Sequence, residues 1–210
     1  KNFKENISRA TAYQVFSSNL VIEALNHVNN HLAAITGGQI DRMTRDDGWQ
    51  LLSIGRHIER LYFFSSIMKE AISVGLFKEV NVFGFDAILY LFDSTITYHS
   101  QHQQTRDLHA LVDLIISDQD NPRSFAWIIQ EILLRIDKLN STKKNSIVMT
   151  NMNLLIVKMS QIDFLCQLNE EQELANLSLF IEEVNQSLIQ VAEDINATFF
   201  NHIYRTNYRI

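Results

Sequence analysis

The sequence predicts an all-α fold, a helical bundle of about seven helices with no sheet. Three features of the chain point there. Its 210 residues include one proline and six glycines, so little interrupts a helix. Its apolar residues recur at spacings of three and four nearly throughout, the repeat of a single helical face. The joins between these stretches are short, which folds neighbouring helices back on one another. A chain of this length can bury a sizeable core, and residues 1–210 are read as one domain.

The elements follow in order. A first helix is expected from Phe3 to Ile35, bent near Ser17-Ser18 and stopped at Gly37-Gly38, residues suited to a left-handed C-terminal cap. Thr44-x-x-Asp47 has the spacing of a capping box, so a second helix should start near Thr44 and run to about Gly75. The third should run from Val82 to His102, the fourth from Thr105 to Ser117 and the fifth from Pro122 to Leu139. Asn121-Pro122 signs the start of that fifth helix, because asparagine caps well and proline at the first helical position loses no useful N–H. A sixth is expected from Ser146 to Leu168 and a seventh from Glu170 to about His202. Within the last, the stretch from Leu179 to Phe200 sets an acidic face beside an apolar one. It reads as a solvated bundle helix, with a partner-docking surface as the sharper alternative.

Charge and cysteine usage narrow the function. The net charge is −6 and the only doubled basic residue in a polar stretch is Lys143-Lys144, so no basic stripe exists to hold a nucleic-acid backbone. The single cysteine, Cys166, lies in an apolar run, reads as a small core hydrophobe and fits a reducing compartment. No apolar run reaches the ~20 residues of a membrane-spanning helix, so a cytoplasmic protein that needs no membrane is expected.

The second helix carries the most unusual pattern. At ~100° per residue, Leu51, Ile54, Gly55, Ile58, Leu61 and Tyr62 share one side, an ordinary core stripe. A glycine inside a helix costs ~1 kcal/mol relative to alanine, so Gly55 predicts close approach of a neighbouring helix. Trp49, Leu52, Arg56, Glu59 and Phe63 form a second sector, leaving mainly Ser53, His57 and Arg60 for solvent. Charge among aromatics has two readings. Arg56 and Glu59 form either a surface i, i+3 pair worth ~0.3 kcal/mol or a cleft-lining pair that binds something polar. Arg123, expected in the first turn of the fifth helix, opposes the helix dipole there. Its charge therefore calls for an anion, whether Asp118, Asp120, a carboxylate from another helix or a ligand. Arg45, Arg56, Arg60 and Arg123 are expected to bring guanidinium groups towards one cleft, with Glu59 orienting them; such forked donors suit carboxylate or phosphate.

Other chemistry finds little support. Glu23, His27 and His31 climb one helix face at four-residue spacing and spread over ~12 Å, too far to share one ion. His99 and His102 are three apart, and no Glu-x-x-His pair of the di-iron type occurs, so no metal is expected. No serine lies in a Gly-x-Ser-x-Gly context and no glycine-rich phosphate loop is present, so neither a cofactor nor ATP binding by this chain alone is expected.

Three blocks of sequence resemble a known family. The run from His31 to Leu61, with His31, Met43, Arg45, Asp46, Gly48, Trp49, Gly55, Arg56, Glu59 and Arg60 in place, is similar to the core of the alpha-E domain, a bacterial all-helical family named for a Glu-Arg motif. The run from Asp120 to Ile132 resembles that family's Asn-Pro-Arg-Ser block, and Ser94-x-x-x-Tyr98 the segment before it. Glu5, Asn6 and Arg9 resemble a Glu-Asn-x-x-Arg segment that in the family follows an earlier Leu-Gly-Arg-x-x-Glu-Arg copy. That copy is not in this chain, which opens on Lys1, so a preceding portion is expected. After Tyr98 stand His99 and His102, where the family often has basic residues.

The resemblance implies association with circularly permuted ATP-grasp ligases, fused or separate, in systems that form amide bonds on peptides or small amino compounds. The expected function is an accessory domain that binds substrate or partner through Arg45, Arg56, Glu59, Arg60, Arg123, His31, Trp49 and Tyr98, and is not catalytic alone. Two alternatives stand beside it: an enzyme with Glu59 as general acid or base next to Arg56 and His31, and a scaffold whose Arg-Glu pairs clamp helices. Self-association is left open.

Overall fold

The computed structural model describes residues 18–77, 82–103, 105–139, 146–170 and 174–200. The expected start of the first helix, the Glu5, Asn6 and Arg9 segment, Lys143-Lys144 and His202 lie outside these residues. The described residues form α-helices and π-helical turns without a strand. Contacts divide the chain into two units, Lys1–Trp49 and Gln50–Ile210.

In the first unit, α1 (Ser18–Arg42) passes straight through Gly37 and Gly38. The expected stop there is overturned: a Cβ added at either glycine would meet nothing within 4 Å, and neither residue adopts a positive φ. Two glycines weaken a helix, but neither the space around them nor their backbone conformation ends it. The chain leaves α1 after Arg42, whose charge complements the negative end of the dipole, and Arg45 donates to the Ile40 carbonyl at 2.6 Å. The next helix, α2 (Asp47–Ser73), is capped by Asp46, whose Oδ1 accepts from the Trp49 N–H at 3.0 Å. Asp46 therefore fills the role expected of Thr44.

The second unit contains α2 from Gln50 onward and every later element. α2 buries Ser53, Ile54, Leu61, Phe64, Ser65, Met68 and Ala71. It ends in a Schellman turn: Gly75 has φ 72°, its N–H donates to the Ile72 carbonyl, and the Leu76 N–H reaches the Ala71 carbonyl. Only glycine takes that φ without penalty. Gly55, by contrast, is exposed, and a Cβ there would meet nothing within 4 Å. The expected helix approach at Gly55 is not found, and Tyr62 of the expected core stripe is exposed as well.

The helix expected from Val82 to His102 is two, α3 (Val82–Leu91) and α4 (Thr95–His102). Between them the same Schellman pattern recurs with Asp93 at φ 50°: its N–H donates to the Tyr90 carbonyl and the Ser94 N–H to the Leu89 carbonyl. Aspartate is among the few non-glycine residues that tolerate this region, so no glycine marked the corner. α5 (Leu108–Val112) starts on an Asp107 cap and runs into a π-helical turn (Asp113–Ser117) that buries Leu114, Ile115 and Ile116.

The fifth expected helix begins three residues late. Asn121 and Pro122 belong to a turn, in which Asn121 Oδ1 accepts from the Arg123 N–H at 3.0 Å, and Ser124 caps α6 (Phe125–Lys138) by accepting from the Trp127 N–H. The helix expected from Ser146 to Leu168 divides into α7 (Ser146–Met159) and the short α8 (Ile162–Leu165). α9 (Ala175–Ile195) buries Leu177, Phe180, Ile181, Val184, Leu188 and Val191 at spacings of three and four, then runs into a second π-helical turn (Asn196–Phe200). α9 packs on α7 and α8, and α6 packs on α7. Phe92, Tyr98, Phe125, Ile128 and Ile129 are among the fully enclosed residues of the core. No described helix is long and apolar enough to cross a membrane.

Candidate functional site

Of the α2 flank expected to face solvent, Ser53 and His57 meet α6, whereas Arg60 is exposed as expected. Ser53 is buried and its Oγ accepts from Arg135 Nε, while Arg135 also donates to the Glu131 carboxylate and carbonyl. One turn along α2, His57 stacks on Trp127, with ring centroids 5.8 Å apart and planes 26° from parallel. The next turn of α2 brings Arg60, and the turn before α6 brings Arg123. As α2 is climbed through 53, 57 and 60, α6 is descended through 135, 127 and 123, so the two segments run antiparallel with a polar seam between them. The Ser53 Oγ to Arg135 bond and the His57 ring on Trp127 join the segments, while further polar partners of His57, Arg135 and Arg123 come from the same helix or from Asp93.

The seam differs along its length. Arg135 and Glu131 are mostly enclosed, with side chains 14% and 22% exposed. Around His57, burial pushes the imidazole pKa below its usual value; its Nδ1–H donates to the Ser53 carbonyl at 2.6 Å, which opposes the shift, while the charges of Arg135 and Arg60 reinforce it. With Nδ1 carrying the proton, the neutral ring keeps its acceptor at Nε2. At the far end Arg123 donates to Asp93 Oδ2 at 2.7 Å, the aspartate at the left-handed corner between α3 and α4. The anion that Arg123 calls for is thus a carboxylate from another part of the fold, not Asp118 or Asp120, whose region is occupied with turn N–H groups. Arg60 has its pKa lowered first by burial and then by the neighbouring Arg123 charge. Among the described residues no carboxylate forms an ion pair with Arg60.

The sequence-predicted residues separate accordingly. Arg60 is exposed and feels the charge of Arg123, and Arg56 is half-buried one turn back on the same side of α2. Glu59 is exposed, and two residues on from His57 it lies on the opposite flank. The expectation that Glu59 orients the guanidinium groups gives way to Asp93 and Glu131, which hold Arg123 and Arg135. Tyr98 is fully enclosed; its hydroxyl donates to the Thr105 carbonyl at 3.1 Å and accepts from the Asp107 N–H at 3.2 Å. It fastens a loop and lines no cleft. In the first unit, Arg45 lies with its guanidinium carbon 4.1 Å from the Trp49 ring centroid, a cation–π pair, and the exposed His31 makes a 2.6 Å contact from Nδ1 to the His27 carbonyl. Cys166 is buried, and burial above all, with nearby Asp107, Asp163 and Asp113, pushes its thiol up to about 12.

Ser53, His57, Trp127, Glu131 and Arg135 were not singled out as site residues. The i, i+4 pair Glu131 and Arg135 was a visible signal in the sequence. Asp93 had none, because its role depends on a corner in what reads as a continuous helix.

Comparison with known proteins places this architecture. The model of the Alpha-E family, described as a predicted alpha-helical domain with a conserved ER motif, matches residues 2–200. The chain belongs to the Alpha-E family. Its one Glu-Arg dipeptide is Glu59-Arg60, and in this Alpha-E domain both residues are exposed, with Arg60 on the flank of α2 that carries Ser53 and His57. The chain is also similar to an uncharacterized protein of Mycobacterium bovis and to two of Mycobacterium tuberculosis, each 21% identical over 170 residues, which is 80% of this chain and 19% of the relative. The match thus spans about a fifth of those longer proteins. No solved structure matches.

Proposed function

We propose that this Alpha-E domain is an accessory component of an ATP-grasp-type amide-bond-forming system, holding a substrate or partner at the Arg60 and Arg123 end of the seam and doing no chemistry alone. The observation that carries this reading is a charge imbalance. Arg123 is paired with Asp93, its charge adds to burial in lowering the pKa of Arg60, and no described carboxylate forms an ion pair with Arg60. An exposed cation near a like charge and without a carboxylate of its own gains from an added anion, so the arrangement suits binding better than clamping. Arg56 extends the same edge, and Arg45 with Trp49 offers a further cationic and aromatic pair in the first unit. The small share of the mycobacterial relatives that the match occupies agrees with a domain that works within or beside a larger protein, the ligase being the proposed partner.

A scaffold role has one observation in its favour, the enclosed Ser53, Arg135 and Glu131 cluster, and it applies to that end of the seam. Thermal unfolding of wild type and Arg60→Gln with carboxylates, phosphate, nucleotides and short peptides separates the two. For a binding site, the variant unfolds no earlier than wild type and loses a ligand-induced rise in midpoint. For a clamp, the variant unfolds earlier and no ligand changes the difference.

A further inference from the structure

We infer that the groove between α9 and the edge formed by α7 and α8 binds an extended, uncharged stretch of peptide. The inference concerns other residues of the second unit and does not depend on the proposed role of Arg60. Two hollows of about 320 and 380 Å³ adjoin along α9 and share the Lys158–Glu183 pair, whose Nζ and Oε2 lie 2.6 Å apart. Consecutive glutamates serve the two flanks of α9, Glu182 pairing with Lys69 of α2 and Glu183 with Lys158 of α7. The acidic face read in the sequence is therefore matched in charge here, and the groove beside Glu183 stays open.

The groove has an apolar floor. Leu165 and Phe180 are buried under the smaller hollow and Leu155 under the larger. Phe164, Leu179 and Leu154 line it while 55%, 66% and 53% exposed, apolar surface that an occupant would remove from water.

The rim names the occupant. It carries carboxamides, Gln161 and Asn176 on the smaller hollow and Asn151, Gln186 and Gln190 on the larger. A carboxamide donates and accepts at once, as a peptide group does, so it suits a backbone whose own N–H and C=O groups still need partners. An extended chain has such groups, whereas a helix has paired them internally. Asn176 gives Nδ2 to the Phe164 carbonyl and Gln190 gives Nε2 to Asp194, and each keeps its oxygen as an acceptor. Lys158 and Glu183 are the charged residues of both linings and neutralise one another, so a free chain end or an acidic side chain gains nothing here. From Asn176 to Gln190 α9 rises ~21 Å, the reach of about six residues of extended chain.

A capped peptide tests this in the full chain. The probe is a hexapeptide of alternating leucine and glutamine, acetylated at one end and amidated at the other. The side-chain NH2 signals of Gln161 and Gln186 are followed by nitrogen-edited NMR, assigned through Gln161→Ala and Gln186→Ala. Both signals are expected to shift and saturate, and raising the salt from about 0.05 to 0.5 M should change the half-saturating concentration less than about twofold, since the groove is neutral. N-methylation along the peptide backbone keeps the side chains and removes the N–H donors, and should raise that concentration about tenfold or more. Leu179→Ser and Leu154→Ser alter exposed positions, so each should leave the thermal midpoint in place and weaken the peptide about threefold or more.

A peptide of the same composition locked as a helix decides between the two kinds of occupant, and should act only at higher concentration. The inference is overturned if the helical peptide acts at lower concentration, if N-methylation has no effect, if both leucine variants titrate like wild type, or if neither NH2 signal moves.

Discussion

The two ends of the seam between α2 and α6 contain the same kinds of residue and solve opposite problems. At one end Arg135 lies against Ser53 and Glu131, enclosed and matched in charge. At the other Arg123 is paired with an aspartate, Asp93, whose side chain is 76% exposed, and no described carboxylate pairs with Arg60. An enclosed ion pair must be complete, since removing a partner strands a charge. An open end can hold an excess of charge, because water screens it and a ligand can complete it. The comparison shows that an arginine in a helix interface takes its role from what faces it.

Breaking the enclosed end should have the largest effect. Arg135→Ala leaves Glu131 mostly buried without its guanidinium and removes the donor to Ser53, and a loss of about 2 to 4 kcal/mol is expected in urea unfolding. A loss under about 0.5 kcal/mol would place this end among ordinary surface pairs. Tyr98→Phe tests the reassignment of that residue from ligand contact to fastener. Losing both hydrogen bonds to the 105–107 loop should cost about 1 to 2 kcal/mol by the same measurement, with no change in anion binding at Arg60.

The middle of the seam should respond to pH. His57 has a folded pKa below its usual 6.5, so the unfolded chain binds its proton more tightly than the folded one. Stability from the neutral ring is therefore full above 6.5 and is lost as pH falls from there through the lowered folded value. His57→Phe, which keeps a ring against Trp127, should flatten that part of a plot of unfolding free energy against pH; an unchanged slope would remove His57 from the account. The smallest effect belongs to the open end. Arg60→Gln should leave the thermal midpoint of the ligand-free protein unchanged or slightly raised, since one of two like charges is gone. A fall of several degrees would merge the two ends into one clamp.

Much of the fold was written in the chain. Scarce proline and glycine with a three- and four-residue repeat dictate helices, and the Schellman turn at Gly75 follows from local chemistry that needs no distant partner. The dense apolar spacing of α6 and α9 likewise states which faces are buried, because burial of that much apolar surface outweighs local alternatives. The same local logic failed where two conformations cost nearly the same. Gly37-Gly38 weakens a helix without ending it, and Asp93 turns a corner that a helical run conceals. Arg60 and Arg123 were legible as candidates, one from the Glu-Arg pair and the other from its opposition to a helix end.

What the sequence by itself determined is therefore an all-helical chain of the Alpha-E family with a few arginines in conspicuous places. Only the tertiary structure decided which arginines meet a carboxylate, which is why Ser53 and His57 turn inward while Glu59 faces water. The reason is physical: apolar periodicity sets a face through an effect that sums over many residues, whereas the fate of a polar side chain depends on single partners contributed by another helix.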